Sequence, residues 1–147
     1  MANPYLTRSL DPQSEAAYHT RRSAVDTSYK TGLAQNEFQR AQMAQQFGMG
    51  KENLLRQFRE KRQQIPQSFN ARGLLRSGLH KRAIGGHALD QLRALSQQNL
   101  DYQTDLGENL LQRNALNAER ATGIAGIDYE RMAALAALAA QMRGMRP

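Results

Sequence analysis

Apolar residues recur by threes, fours and elevens along most of this chain, set in a background of Gln, Arg, Asn and Glu, which is the spacing of helices and not of strands. In the first half Tyr18 leads to Tyr29, Leu33 to Ala44 and Leu55, and Phe47 to Phe58, each step being eleven residues. An interval of eleven corresponds to about 3.67 residues per turn, so the stripe stays nearly straight along a helix or wraps slightly right-handed. In the second half Leu89, Leu100 and Leu111 repeat the interval, with Leu95 and Leu106 beside them. Two long segments of matching period predict two arms packed on each other as a hairpin.

Punctuation marks the boundaries. Met1–Leu10 carries Pro4 and no helical period, so 1–11 reads as an extended arm with Tyr5, Leu6 and Leu10 as anchors on a neighbour. Asp11-Pro12 is a helix start, an N-cap acceptor followed by proline at the first helical position, with Glu15 placed near the positive end of the helix dipole. Gly48-Met49-Gly50 predicts a kink or short break, since two glycines cost roughly 2 kcal/mol relative to alanine. Pro66 removes a backbone donor and clashes with the preceding turn, so the first arm is expected to cover 12–65, roughly 80 Å if unbroken. A connector at 66–78 follows. Gly73 and Gly78 are free to take positive φ, and Ser77 is placed to cap a helix beginning near Leu79. The second arm, 79–143, is punctuated by Gly85-Gly86, Gly107, Gly123 and Gly126. The last two are expected to set off a terminal helix, Ile127–Met142, apolar nearly all round and therefore buried by more than one neighbour. Arg143 and Gly144 mark a helix stop before the tail at 144–147.

Composition supports an all-α reading of one domain. The aliphatic β-branched residues are only Val25, Ile65, Ile84, Ile124 and Ile127, while helix formers dominate. The apolar fraction is 40%, much of it alanine, with nine aromatic residues and no tryptophan among 147. Such a chain buries little area per residue, and long helices with a thin core take their stability from neighbours. The expected fold is an elongated helical hairpin of two glycine-interrupted arms, packed in a homo-oligomer. The chain has no cysteine, so disulfides, thiolate metal sites and a cysteine nucleophile are excluded. The N-terminus lacks a charged segment followed by an apolar run, and the longest apolar run is nine residues, Met132–Ala140. Neither a secretory signal nor a membrane anchor is expected.

Charge is more informative by position than in total. Of a net +7, the stretch Lys51–Arg82 carries nine basic residues against two acidic ones, whereas Ala83–Pro147 has six against seven. The patch formed by Arg56, Arg59, Lys61, Arg62, Lys81 and Arg82 suits phosphates or an acidic protein surface, or else is a solvated helix face.

Catalytic chemistry has no seat. His80 and His87 are seven residues apart, about 10.5 Å along a helix, too far to share a metal without other ligands. His87 and Asp90 share a face and form a candidate pair, while His19 lies beside Tyr18, Arg21 and Arg22 as a surface residue. Ser77 is better used as a cap than as a nucleophile. Asp101, Asp105 and Glu108 line one helix face without a flanking apolar pocket, and Gly85-Gly86 lacks the lysine and hydroxyl residue of a phosphate loop. No enzyme and no cofactor are expected. Sequence-specific nucleic-acid reading is also not expected, since Phe58 and Phe69 are the only aromatic platforms near the basic residues.

The remaining candidate is the connector itself. Phe69, Arg72, Gly73, Leu74, Leu75, Arg76, Ser77 and Gly78 make a loop that is both apolar and basic. It reads either as an ordinary connection whose leucines cover the end of its own hairpin, or as a docking corner for a partner subunit or nucleic acid. Ala71-Arg72-Gly73-Leu74-Leu75-Arg76-Ser77-Gly78, followed by Lys81-Arg82 and a Leu/Ala/Gln helix carrying Asp101-Tyr102, resembles small virion-associated proteins encoded among the tail genes of tailed bacteriophages. The resemblance covers roughly Phe69–Tyr102. It implies a structural component of a virus particle at the tail or head-to-tail channel, made in the host cytoplasm, with itself and other virion proteins as partners and no catalytic residues. Non-specific DNA binding and a helical assembly scaffold are the alternatives.

Overall fold

The computed structural model describes residues 10–144. Helix α1 spans Pro12–Ala71, α2 spans Gly78–Gly144, and residues 72–77 connect them. The two helices pack against each other as an antiparallel hairpin, with no strand among the described residues. The expected arm at 1–11, with its anchors Tyr5 and Leu6, lies outside the described residues except for Leu10, which is buried, and Asp11. The tail beyond Gly144 also lies outside them.

Asp11 caps α1 as its sequence context predicts. Its Oδ1 accepts the amides of Gln13 at 2.9 Å and Ser14 at 3.1 Å, and the Ser14 hydroxyl donates to Oδ2. These bonds favour the ionised form, with the Ser14 hydroxyl the largest cause, and hold the Asp11 carboxyl below its ordinary value.

The breaks expected inside the arms do not occur. Helix α1 runs without interruption through Gly48-Met49-Gly50, and α2 through Gly85-Gly86, Gly107, Gly123 and Gly126. Some of these glycines answer to packing. A Cβ at Gly50 would collide with the Gln98 side chain, and one at Gly123 would press on Val25 at 3.3 Å. The helix also passes through Pro66 and ends six residues later than expected, at Ala71. Ile65, Pro66 and Phe69 all lie half-buried toward α2, so side-chain packing over that turn outweighs the lost backbone bond.

The chain divides into two compact units. One comprises residues 10–36 and 111–144. Ile127 and Leu10 are its buried apolar residues, with Val25, Tyr29, Leu116 and Ile124 half-buried between the helices. Its margins are zipped by ion pairs across the helices: Arg21 with Glu130, Arg22 with Asp128 at 3.5 Å, Arg120 with Asp26 at 2.7 Å, and Arg131 with Glu15 at 3.0 Å. Tyr29 donates its hydroxyl to Asn117 Oδ1 at 2.8 Å and lies under the Arg120 guanidinium, 5.0 Å from the ring centroid. The alanine-rich end is not enclosed within the chain. Leu135, Leu138 and Met142 turn inward, while Tyr129, Met132, Ala133, Ala136 and Ala140 are exposed, because a single partner helix covers one side only.

The other unit comprises residues 37–110. Three rings on α1 mark its seam at intervals of eleven residues: Phe47 stacks on Tyr102 at 4.4 Å, Phe58 meets His87 at 5.1 Å, and Phe69 meets His80 at 5.2 Å between centroids. Opposite them Ile84, Leu95 and Leu106, also eleven apart, are half-buried. The leucine line expected to pack, Leu89 and Leu100 with Leu111 beyond this unit, is instead exposed. The inward line of α2 passes through His87, Gln98 and Asn109. Two residues further along a helix is a rotation of about 200°, which carries Leu89 and Leu100 to the opposite side.

Candidate functional site

The connector is built by two helix-end motifs placed back to back. Leu74 N donates to the Phe69 carbonyl at 2.8 Å, Gly73 N donates to the Asn70 carbonyl at 2.9 Å, and Gly73 takes a φ of 68°. This is a Schellman end with glycine at the left-handed position. A turn follows, closed by Ser77 N donating to the Leu74 carbonyl at 2.9 Å. The Ser77 hydroxyl then accepts the His80 amide at 3.3 Å and starts α2 at Gly78. Ser77 thus has the capping role its position predicts. Gly78 is an ordinary first helical residue, and only Gly73 takes the positive φ expected of both.

The amides of Arg72, Gly73, Leu74 and Ser77 are used within the corner itself. Leu74 and Leu75 remain 39% and 40% exposed, and Arg72 and Arg76 are exposed beside them. Phe69 and His80 pack on each other at the hairpin end. Arg56, Arg59, Lys61 and Arg62 are exposed on α1 within about four turns of the connector, and Lys81 and Arg82 are exposed on the opening of α2. The structure therefore gathers the connector and the basic patch at one end of the second unit. None of the nine basic residues from Lys51 to Arg82 has a carboxylate partner among the described residues. The other unit commits Arg21, Arg22, Arg120 and Arg131 to cross-helix pairs. The positive charge at the connector end is therefore not offset by ion pairs among the described residues.

The histidines take structural places. His87 does not pair with Asp90. Its Nε2 lies 2.8 Å from the Phe58 carbonyl, and since a carbonyl only accepts, that nitrogen carries the proton. Asp90 instead faces Arg93 at 3.9 Å. His80 packs on Phe69, and His19 is exposed. Asp101, Asp105 and Glu108 are exposed, Asp101 accepting from Gln97 Nε2 at 2.8 Å. No cluster of three metal-ligating side chains occurs among the described residues, and no helix is long and apolar enough to cross a membrane. An open concavity in the first unit, lined by Thr20, Ser23, Thr27, Ser28 and Thr31, offers hydroxyls without a titratable partner.

Sequence reasoning missed the cross-helix ion pairs and the buried amides Asn36 and Asn109. Asn36 was open to discovery, because it sits eleven residues before Phe47 on the same line as Phe58 and Phe69. No protein-family model matches the chain, nor does any curated protein or solved structure.

Proposed function

We propose that this chain is a structural subunit of a bacteriophage particle, a homo-oligomer at the tail or head-to-tail channel that joins neighbouring copies through apolar helix stripes and docks a further virion protein at its basic connector. Its work is mechanical and uses no catalytic residue or cofactor. It would be made in the host cytoplasm and reside in the virion. The observation that carries the oligomeric part is the shortage of core. The accessible surface is 11796 Å², against about 7,600 Å² for a compact monomer of this mass, and large apolar side chains such as Phe38, Leu92 and Met132 stand in solvent. The virion part rests on the resemblance of Ala71–Gly78 to small tail-gene proteins.

Light scattering on the size-separated protein, with absorbance read at protein and nucleic-acid wavelengths, tests the oligomer. A discrete assembly free of nucleic acid is expected, and a monomer would sink the reading. Leu74→Asp or Leu75→Asp should release the docked partner while helix content stays intact. Peptides of this chain should also be found by mass spectrometry in gradient-purified particles, and their absence would remove the virion assignment.

A second reading, non-specific DNA binding, is favoured by one observation: the nine basic residues at the connector end have no carboxylate partners among the described residues. It predicts that neutralising Arg56, Arg59 and Arg62 reduces the salt dependence of DNA binding. An unchanged slope would exclude it.

A further inference from the structure

We infer that copies of this chain join through the back of α1 in one and the back of α2 in the next, side by side and without axial shift, so that the hairpins close into a ring. This rests on the homo-oligomer proposed above and specifies its contact.

Within the unit 37–110, α1 and α2 each carry large apolar residues on the side turned away from the other. On α1 these are Phe38 and Met49, 64% and 51% exposed, and on α2 they are Leu89 and Leu100, 55% and 57% exposed. Each pair is eleven residues apart, so both backs have the pitch that already makes α1 and α2 fit each other. Relative to the seam residues Phe47 and Gln98, Met49 and Leu100 are each two residues on, a rotation of about 200°.

The levels also agree. Phe47 stacks on Tyr102, and Gly50 lies against Gln98, which places Met49 level with Leu100 in the same hairpin. A second copy moved sideways with no shift along the helices therefore sets its Leu100 against Met49. The new contact is antiparallel, as the intrachain one is. Charge fits as well. At the height where Arg56 would meet the neighbour's Arg93, the two faces supply Glu52, Glu60 and Asp90. Glu52 and Glu60 have no ion pair among the described residues, and Asp90 holds Arg93 only at 3.9 Å.

Two different apolar backs argue for a head-to-tail contact. A two-fold pairing of α2 backs would leave Phe38 and Met49 bare, whereas the α1-to-α2 contact uses both, and without axial rise it closes. A stable contact takes about 800 Å² from each partner. Each ring member makes two, which the surplus of about 4,200 Å² over a compact monomer readily supplies. All the basic connectors then lie on one rim.

The chain contains no cysteine, so engineered thiols report the contact directly. Met49→Cys and Leu100→Cys face away from each other within one hairpin and cannot bridge there. Oxidising a mixture of the two single variants should give disulfide-linked dimers, each variant alone should give none, and the double variant should give a ladder ending at a finite closed species. Dimers from Leu100→Cys alone would mean two-fold pairing and overturn the inference, as would cross-linking of Met49→Cys with Leu89→Cys in place of Leu100→Cys. A discrete oligomer by light scattering with no cross-link in the mixtures would overturn this contact and leave the homo-oligomer standing. A monomer would overturn both.

Discussion

Phe69 and His80 close the neck of the hairpin, their rings 5.2 Å apart at an interplanar angle of 58°. The same Phe69 offers its carbonyl to Leu74 N at 2.8 Å, so one residue both ends α1 and packs the start of α2. Replacing Phe69 by Ala should cost about 1–2 kcal/mol, less than for a fully buried ring because Phe69 is half-exposed. Urea unfolding reads the loss, and amide exchange at 72–80 should quicken before that of either helix interior. Unchanged exchange there would mean that the loop is held by its backbone motifs alone.

Gly123 and Gly126 lie three residues apart on α2, yet a side chain at each meets different surroundings. A Cβ at Gly126 has nothing within 4 Å, while one at Gly123 meets the Val25 methyls at 3.3 and 3.4 Å. Gly126→Ala should therefore stabilise the chain by about 1 kcal/mol through helix propensity. Gly123→Ala should gain clearly less, since Val25 must give way. Equal gains in thermal unfolding would show that the two helices tolerate a wider spacing at this level.

Pro66 sits inside α1, where it cannot donate to the Arg62 carbonyl and its ring crowds the preceding turn. Pro66→Ala should raise stability by about 1–3 kcal/mol in chemical unfolding, with no change in the hairpin's helix content. A loss of stability would mean that the half-buried ring contributes more by packing than its missing donor costs.

Acid should loosen the unit formed by residues 10–36 and 111–144. The Arg131 and Arg21 guanidinium groups hold Glu15 and Glu130 below the ordinary 4.5, and hydrogen bonds from Ser14 hold Asp11 below 3.8. A carboxyl depressed in the folded state binds protons less readily there than in the unfolded chain, so its contribution is complete above those ordinary values and is lost as pH falls through the lower folded ones. Thermal stability should be flat from pH 5 to 8 as far as these groups act, then fall below about pH 4. Glu15→Gln combined with Glu130→Gln should flatten that fall. Added salt should mimic part of it, most for the Arg21–Glu130 pair, whose side chains are about half exposed, and less for Arg131–Glu15, whose carboxylate is mostly covered.

What the sequence determined by itself was local. Asp11-Pro12 starts a helix wherever it occurs, Ser77 caps one, Gly73 permits the left-handed turn between them, and the near absence of β-branched aliphatics excludes a sheet; all are read within a few residues. The eleven-residue spacing likewise set the pitch of both helices, and with it the hairpin. Tertiary structure decided which of several lines with that pitch turns inward. Leu89, Leu100 and Leu111 are more apolar than His87, Gln98 and Asn109, yet the second line faces α1, because the rings and amides there match Phe58, the Phe47 carbonyl and the close approach at Gly50. It also decided that Pro66 and the glycines do not break the helices, since a partner lying alongside supplies packing that propensity does not count. The basic connector was legible as composition. That none of its nine cations has a carboxylate partner among the described residues, while Arg21, Arg22, Arg120 and Arg131 of the other unit are paired across the helices, depended on which carboxylates the antiparallel register brought within reach.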